Sequence, residues 1–321
     1  MSVTKNYKTE SSSIYCVKAF GAFCVICIHC NLSPLLFPII RTAVPIFFMI
    51  SGYFLYNVNH EEAIRHSILT LKKITWLTVY ANIFYYICFC CPDDLLPING
   101  VADLLSLIFG GGKIGYHLWY LNTLIFTLLT IVLFLKIRKI HILWMAIPLL
   151  VSFGLITGKY NFLFSSLPNA LFISRNFITM GIPCFGIGWL LRKYEKRITT
   201  FKYPVLLLSV ITGFSIAETT FLINHNWVNG DYIITTIPLA AAILLVSIIY
   251  PNIGNGIIRH IGKYLATGIY VFHIFILYIV ENINNDYLHF SAYMIPILTF
   301  IFSAAFVLIW SKSSEAASIK K

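Results

Sequence analysis

With 321 residues, 59% of them hydrophobic and 11% charged, and a mean hydropathy of +0.82, the chain has the composition of a polytopic membrane protein and not of a soluble domain. A net charge of +11 would suit nucleic acid in a soluble protein. Here the positive residues fall in short breaks between apolar runs, where they set topology and meet lipid headgroups, so no nucleic-acid partner is expected.

A window of about 20 apolar residues per span divides the chain into about ten helices, at 13–31, 38–58, 68–91, 116–136, 141–158, 169–191, 203–222, 232–250, 260–281 and 291–311. The predicted fold is all-α, a single integral membrane domain over 1–321 with tails at 1–12 and 312–321. The polar N-terminal tail leads into a full-length span without a small-residue cleavage site, so the first helix is expected to be retained. Eighteen Lys and Arg fall on one side of these helices, and three, Arg41, Lys113 and Lys159, on the other. The excess marks the cytoplasm and places both termini there.

The first helix carries Lys18 and His29. Eleven residues at about 100° each exceed three full turns by roughly 20°, so both side chains share one face, about 16 Å apart along the axis. Ionisable groups within a span are costly and point to function. Cys24, Cys27 and Cys30 repeat every three residues beside His29, a ligand-like spacing that reads better as small-residue packing in lipid. No metal and no disulfide is expected.

In the second helix, Arg41 opens the outer end, and Ser51-Gly52 reads as a close helix contact. The 92–115 segment, with Asp93, Asp94, Asp103 and Gly110-Gly111-Gly112, lacks a phosphate-loop pattern and reads as a flexible outer loop. His117 opens the fourth helix, Arg175 lies in the outer half of the sixth, Glu218 near the outer end of the seventh, and His273 near the middle of the ninth. Each has a bland reading: interfacial snorkelling for Arg41 and His117, a structural ion pair for Arg175 with Glu218, a satisfied core histidine for His273. Taken with His29, they are six ionisable groups gathered in one leaflet, which implies a hydrated cavity.

An inner cation and an outer imidazole on one helix suit a reaction joining two compartments. The phosphates of an acyl-coenzyme A donor need cationic contacts at the inner face, and the pantetheine arm would reach along the helix to His29. An imidazole titrates near neutrality and accepts the proton of an attacking hydroxyl. Arg175, His273 or a tyrosine hydroxyl would serve the oxyanion, and Glu218 would orient the histidine or the acceptor. No G-x-S-x-G nucleophile motif is present, and no internal repeat of the transporter kind is visible.

Several stretches sharpen this: Lys18 to His29; Val44-Pro45-Ile46-Phe47-Phe48-Met49-Ile50-Ser51-Gly52-Tyr53; Tyr116-His117-Leu118-Trp119-Tyr120-Leu121; Arg175 with Gly181-Ile182-Pro183-Cys184-Phe185-Gly186; and Gly268-Ile269-Tyr270-Val271-Phe272-His273. Together they resemble acyltransferase family 3, the integral membrane acyltransferases of bacteria. The resemblance implies transfer of an acyl group, often acetyl, from cytoplasmic acyl-coenzyme A to an extracytoplasmic or lipid-linked glycan, at the bacterial cytoplasmic membrane, with His29 as the critical first-helix histidine. The family usually has arginine where this chain has Lys18, and its basic motif on the third helix is met loosely by Lys72 and Lys73. Some relatives in vancomycin-resistance systems join such a membrane part to serine uptake, and for them His29, Arg175, Glu218 and His273 would line a solute or proton pathway. Acceptor identity, acyl chain length and oligomeric state are not written in the sequence.

Overall fold

The computed structural model describes residues 11–30, 32–89, 100, 108, 115–163, 175–225, 232–254 and 256–319. The expected loop carrying Asp93, Asp94, Asp103 and the glycine run lies outside the described residues, as do Lys5, Lys8, Lys113, Lys320 and Lys321.

Among the described residues every regular element is helical. Six stretches are long and apolar enough to cross a membrane: Ser12–His29, Pro34–Leu55, Tyr116–Lys136, Pro204–Asn224, Gly256–Leu288 and Met294–Ser311. This is an all-α polytopic membrane protein. The other expected segments are helical but differ in form. Helix α4 (His60–Phe89) carries Glu61, Glu62, Arg65, Lys72 and Lys73 in its first two-thirds. The 141–158 segment breaks ahead of Pro148 into Ile140–Met145 and Ile147–Thr157, because a proline ring excludes the preceding turn from a regular helix. The 169–191 segment is described from residue 175 and becomes a π-turn, Phe177–Gly181, leading into Ile182–Lys193. The last helix runs on to Ile319, beyond the apolar run.

We number the helices that frame the site α1 (Ser12–His29), α2 (Phe37–Ile40), α3 (Ala43–Leu55), α4 as above, α5 (Trp119–Lys136), α6 (Ile140–Met145) and α7 (Ile147–Thr157), α8 (Ile182–Lys193), α9 (Glu195–Ile198), α10 (Pro204–Asn224), α11 (Thr236–Ile249), α12 (Gly256–His260), α13 (Ala266–Ile283) and α14 (Met294–Ile319). Local chemistry sets several starts. The Ser11 hydroxyl accepts the Ile14 amide to cap α1, and the Asn59 side chain accepts the amides of Glu61 and Glu62, whose charges suit that terminus.

Helix α3 is apolar on every side and is the centre of the bundle, with α1, α8 and α11 packed round it. By contrast, α4 buries only a stripe, Ala63, Ser67, Ile74, Thr78, Ala81 and Tyr85, and turns Trp76, Ile83 and Ile87 outward. Such exposed apolar faces are what lipid covers. Helices α3 and α8 approach through paired glycines: a Cβ on Gly52 would strike the Phe185 carbonyl, and one on Gly188 the Met49 carbonyl. The expected close contact at Ser51-Gly52 is this one. Both obstacles are backbone, which cannot step aside as a side chain can. Gly188→Ala is therefore expected to push α8 off α3 and to cost roughly 1–3 kcal/mol. A thermal-unfolding scan of the detergent-purified variant, showing an unchanged midpoint, would disprove this contact.

Candidate functional site

The His29 end of α1, the Arg41 end of α2, the start of α5, the approach to α8 and the approach to α11 meet at one end of the bundle. Between them lies a cavity of about 270 Å³, and His29, Arg41, Tyr116, His117, Arg175 and Tyr232 are among its lining residues. Four residues singled out from sequence, His29, Arg41, His117 and Arg175, are thus brought together although they are up to 146 positions apart (175 − 29). His273 stands directly behind them. Its ring centre is 5.2 Å from that of His29 and 5.3 Å from that of His117, and it is completely buried.

Helix α13 is held in place by side chains that reach its backbone. The buried Tyr85 hydroxyl donates to the Val271 carbonyl at 2.8 Å and accepts the Phe275 amide at 3.3 Å. One hydroxyl thus reaches both polar groups of the 271–275 turn of α13. The His117 Nε2 reaches the same Val271 carbonyl at 3.3 Å, and the Tyr270 hydroxyl returns a bond to the His117 carbonyl. In this way α4, the turn before α5 and α13 are tied at one point. The sequence carries no sign of Tyr85, which is one tyrosine among several in an apolar run. Tyr116, Trp119 and Tyr270 lie inside the stretches that carried the resemblance, but no role was read for them.

The two guanidiniums are stacked on aromatic rings, Arg41 over Phe37 at 5.5 Å and Arg175 over Trp119 at 5.9 Å, which orients each planar fork. The charges of both act on His29.

Glu218 sits elsewhere. It is not among the residues lining the cavity; its carboxylate accepts the Ile234 and Thr235 amides at 2.9 and 3.0 Å, the Thr235 hydroxyl at 2.6 Å, and the Tyr160 hydroxyl. It thereby straps α10 to the turn after α7 and to the approach of α11. Burial, and then the bond to Glu218, raise the Tyr160 phenol above its ordinary range. Burial also lowers the neighbouring Lys159 to about 8, with the charge of Arg41 acting in the same direction and Glu218 against it.

At the other end of α1, Lys18 Nζ is 3.4 Å from Thr267 Oγ1 on α13. His29 and Lys18 therefore meet the same helix, as one shared face requires. The charge of Lys73 is felt at Lys18, while Lys72 and Lys73 themselves are exposed on α4. The cysteines Cys24, Cys27 and Cys30 are free thiols buried in packing. Among the described residues no group of three His, Cys, Asp or Glu side chains is placed to hold a metal ion.

Residues 12–312 match the acyltransferase domain that defines acyltransferase family 3. The chain belongs to that family. A curated relative from Enterococcus faecalis, named an amino-acid racemase, is 26% identical over 317 residues. The match covers 87% of this chain but 42% of that protein, so the chain spans less than half the length of its relative. No solved structure matches.

Removing the Tyr85 hydroxyl should untie α4 from the 271–275 turn of α13. Tyr85→Phe is expected to lose about 0.5–1.5 kcal/mol of stability, and amide exchange at Phe275 should quicken as α13 loses that tie. Slower exchange there, or none of the stability loss, would show that the hydroxyl does not hold this turn.

Proposed function

We propose that this acyltransferase moves an acyl group, acetyl in the simplest case, from cytoplasmic acyl-coenzyme A to a hydroxyl of an extracytoplasmic or lipid-linked glycan, with His29 as general base. In this reading the chain crosses the bacterial cytoplasmic membrane about ten times with both termini inside, on the strength of eighteen inner Lys and Arg against three outer ones. The observation that carries the proposal is the placement of His29 on the wall of the cavity that Arg41 and Arg175 also line, at the opposite end of α1 from Lys18.

The residues fit the donor. Lys18 on α1 and the exposed Lys73 on α4 would offer ammonium groups to the donor's phosphates. Lys72 adds a third cation on the same helix turn. The pantetheine arm would then run along α1 for the about 16 Å that separates Lys18 from His29. At the far end the imidazole accepts the hydroxyl proton as the oxygen attacks the thioester carbonyl. The oxyanion is met by the stacked guanidinium of Arg175, whose position is fixed before the reaction begins. His117 belongs to the cavity wall, and Glu218 contributes by holding the frame of α10 and α11.

A second reading is favoured by the name of the relative, which refers to amino acids. A cavity with guanidiniums for a carboxylate and imidazoles for an ammonium would also admit a small zwitterion such as serine, and the chain would then move a solute instead of an acyl group.

His29→Ala, inserted at normal levels, is expected to abolish surface-glycan acylation, read by mass spectrometry of the host polysaccharide. Full modification by that variant would end the base assignment. Vesicles that accumulate labelled serine without acyl-coenzyme A would favour the second reading. Lys18→Arg should keep activity while Lys18→Ala raises the KM for the donor; equal losses in the two would count against a phosphate contact at that position.

A further inference from the structure

We infer that His273 is the positioning residue for His29: its Nε2 lone pair accepts the N–H of His29 and so keeps the other imidazole nitrogen of His29 bare toward the cavity. This rests on the reading of His29 as the base and adds the device that sets its tautomer.

The argument is a count of donors and acceptors. His273 Nδ1 lies 2.6 Å from the Tyr270 carbonyl. A carbonyl only accepts, so Nδ1 carries the proton and Nε2 is a bare acceptor. His117 is fixed by the same logic. Its Nε2 faces the Val271 carbonyl at 3.3 Å, so that nitrogen donates and Nδ1 is bare. Both bare nitrogens are buried without a hydrogen-bond partner, a state that protein interiors rarely tolerate. They cannot satisfy one another, since each offers a lone pair. The hydroxyls of Tyr85 and Tyr270, whose rings touch this cluster, are already committed to the Val271 and His117 carbonyls.

His29 is the remaining imidazole, and it has a proton to give. Its ring centre is 5.2 Å from that of His273, with 44° between the planes. An imidazole nitrogen stands about 1.1 Å from its ring centre, so two facing nitrogens at that separation would be about 3 Å apart, a hydrogen-bond distance. For this bond the His29 ring turns about its Cβ–Cγ bond to bring its N–H to His273. One neutral imidazole has one N–H and one lone pair; giving the N–H to His273 leaves the lone pair for the substrate hydroxyl.

The proton balance is closed within the reaction. The hydroxyl proton passes to the bare nitrogen of His29 while the hydroxyl oxygen forms the C–O bond. The C–S bond breaks as the carbonyl re-forms, and the same proton leaves His29 for the thiolate sulfur. His273 gains no proton at any step; its bond from His29 strengthens while His29 is an imidazolium. This assigns His273 an accepting role instead of the oxyanion-donating role suggested by sequence, because Nε2 has no hydrogen to donate.

Two amides separate this role from a structural one. His273→Asn keeps a donor for the Tyr270 carbonyl but loses the acceptor at the Nε2 position, whereas His273→Gln carries an acceptor oxygen out to about that position. Full-length protein with 15N-labelled histidine, in nanodiscs, reports the His29 tautomer by NMR, and thiol release from acetyl-coenzyme A reports turnover. We expect a single neutral His29 tautomer in the unmodified protein and in His273→Gln, and a mixture in His273→Asn. Turnover should fall about a hundredfold in His273→Asn with the KM for acetyl-coenzyme A unchanged, and roughly tenfold of that should return in His273→Gln. A mixed tautomer in the unmodified protein, a His29 signal indifferent to both variants, or rescue by Asn instead of Gln would overturn the inference. If His29→Ala still releases thiol at full rate while the tautomer responds to His273→Asn, the positioning stands and the base role of His29 falls.

Discussion

The site depends on one backbone carbonyl, that of Val271. Its helical partner is the amide four residues on. Here the Tyr85 hydroxyl reaches both that carbonyl and that amide, and the His117 imidazole shares the same oxygen. The hydroxyl donates to the carbonyl and accepts from the amide. Its effect is geometric. Three segments far apart in the chain are fixed at one point in a low-dielectric interior, where such bonds are strong and leaving them unmade is expensive. His273 follows two residues after Val271 on the same turn, so whatever orients that carbonyl also orients the buried histidine behind His29.

That local arrangement needs a rigid surround, which α3 provides. Helices in lipid gain little from burying apolar surface against one another, since the tails are equally apolar; close backbone approach and packing hold them instead. Gly52 and Gly188 bring α3 and α8 to backbone contact, which fixes the end of α8 that leads back to Arg175. On the opposite flank α10 touches the bundle through few residues, Ser215, Thr219 and Leu222 among them. There the Glu218 strap substitutes for packing: a half-buried carboxylate satisfied by backbone amides and hydroxyls ties a lipid-facing helix to the approach of α11.

The six long apolar spans were legible in the sequence because hydropathy acts over whole segments and does not require knowledge of neighbours. The residues of the cavity were legible for a related reason: an ionisable group within a span is improbable unless something compensates it, so His29, Arg41, His117 and Arg175 could be picked out one by one. Their meeting point could not. Glu218 shows the limit. Its charge and depth matched those of Arg175, but its partners are the amides of Ile234 and Thr235 and two hydroxyls, and backbone amides leave no mark on composition. Tyr85 is the complementary case. A tyrosine in an apolar run looks like any interfacial aromatic until its hydroxyl is seen within another helix.

Helix α13 finally explains why both ends of α1 belong to one machine. It meets Lys18 through Thr267 and His29 through His273. Those two contacts are eleven residues apart on α1 but six on α13, so the long lysine side chain must take up part of the difference in rise. An arginine there would span a similar distance but with a rigid planar end, whereas the flexible lysine stem allows its ammonium to settle against a hydroxyl. The departure from the family at this position is thus compatible with the geometry, and it changes how a phosphate would be held: by a point charge instead of by a two-pronged fork.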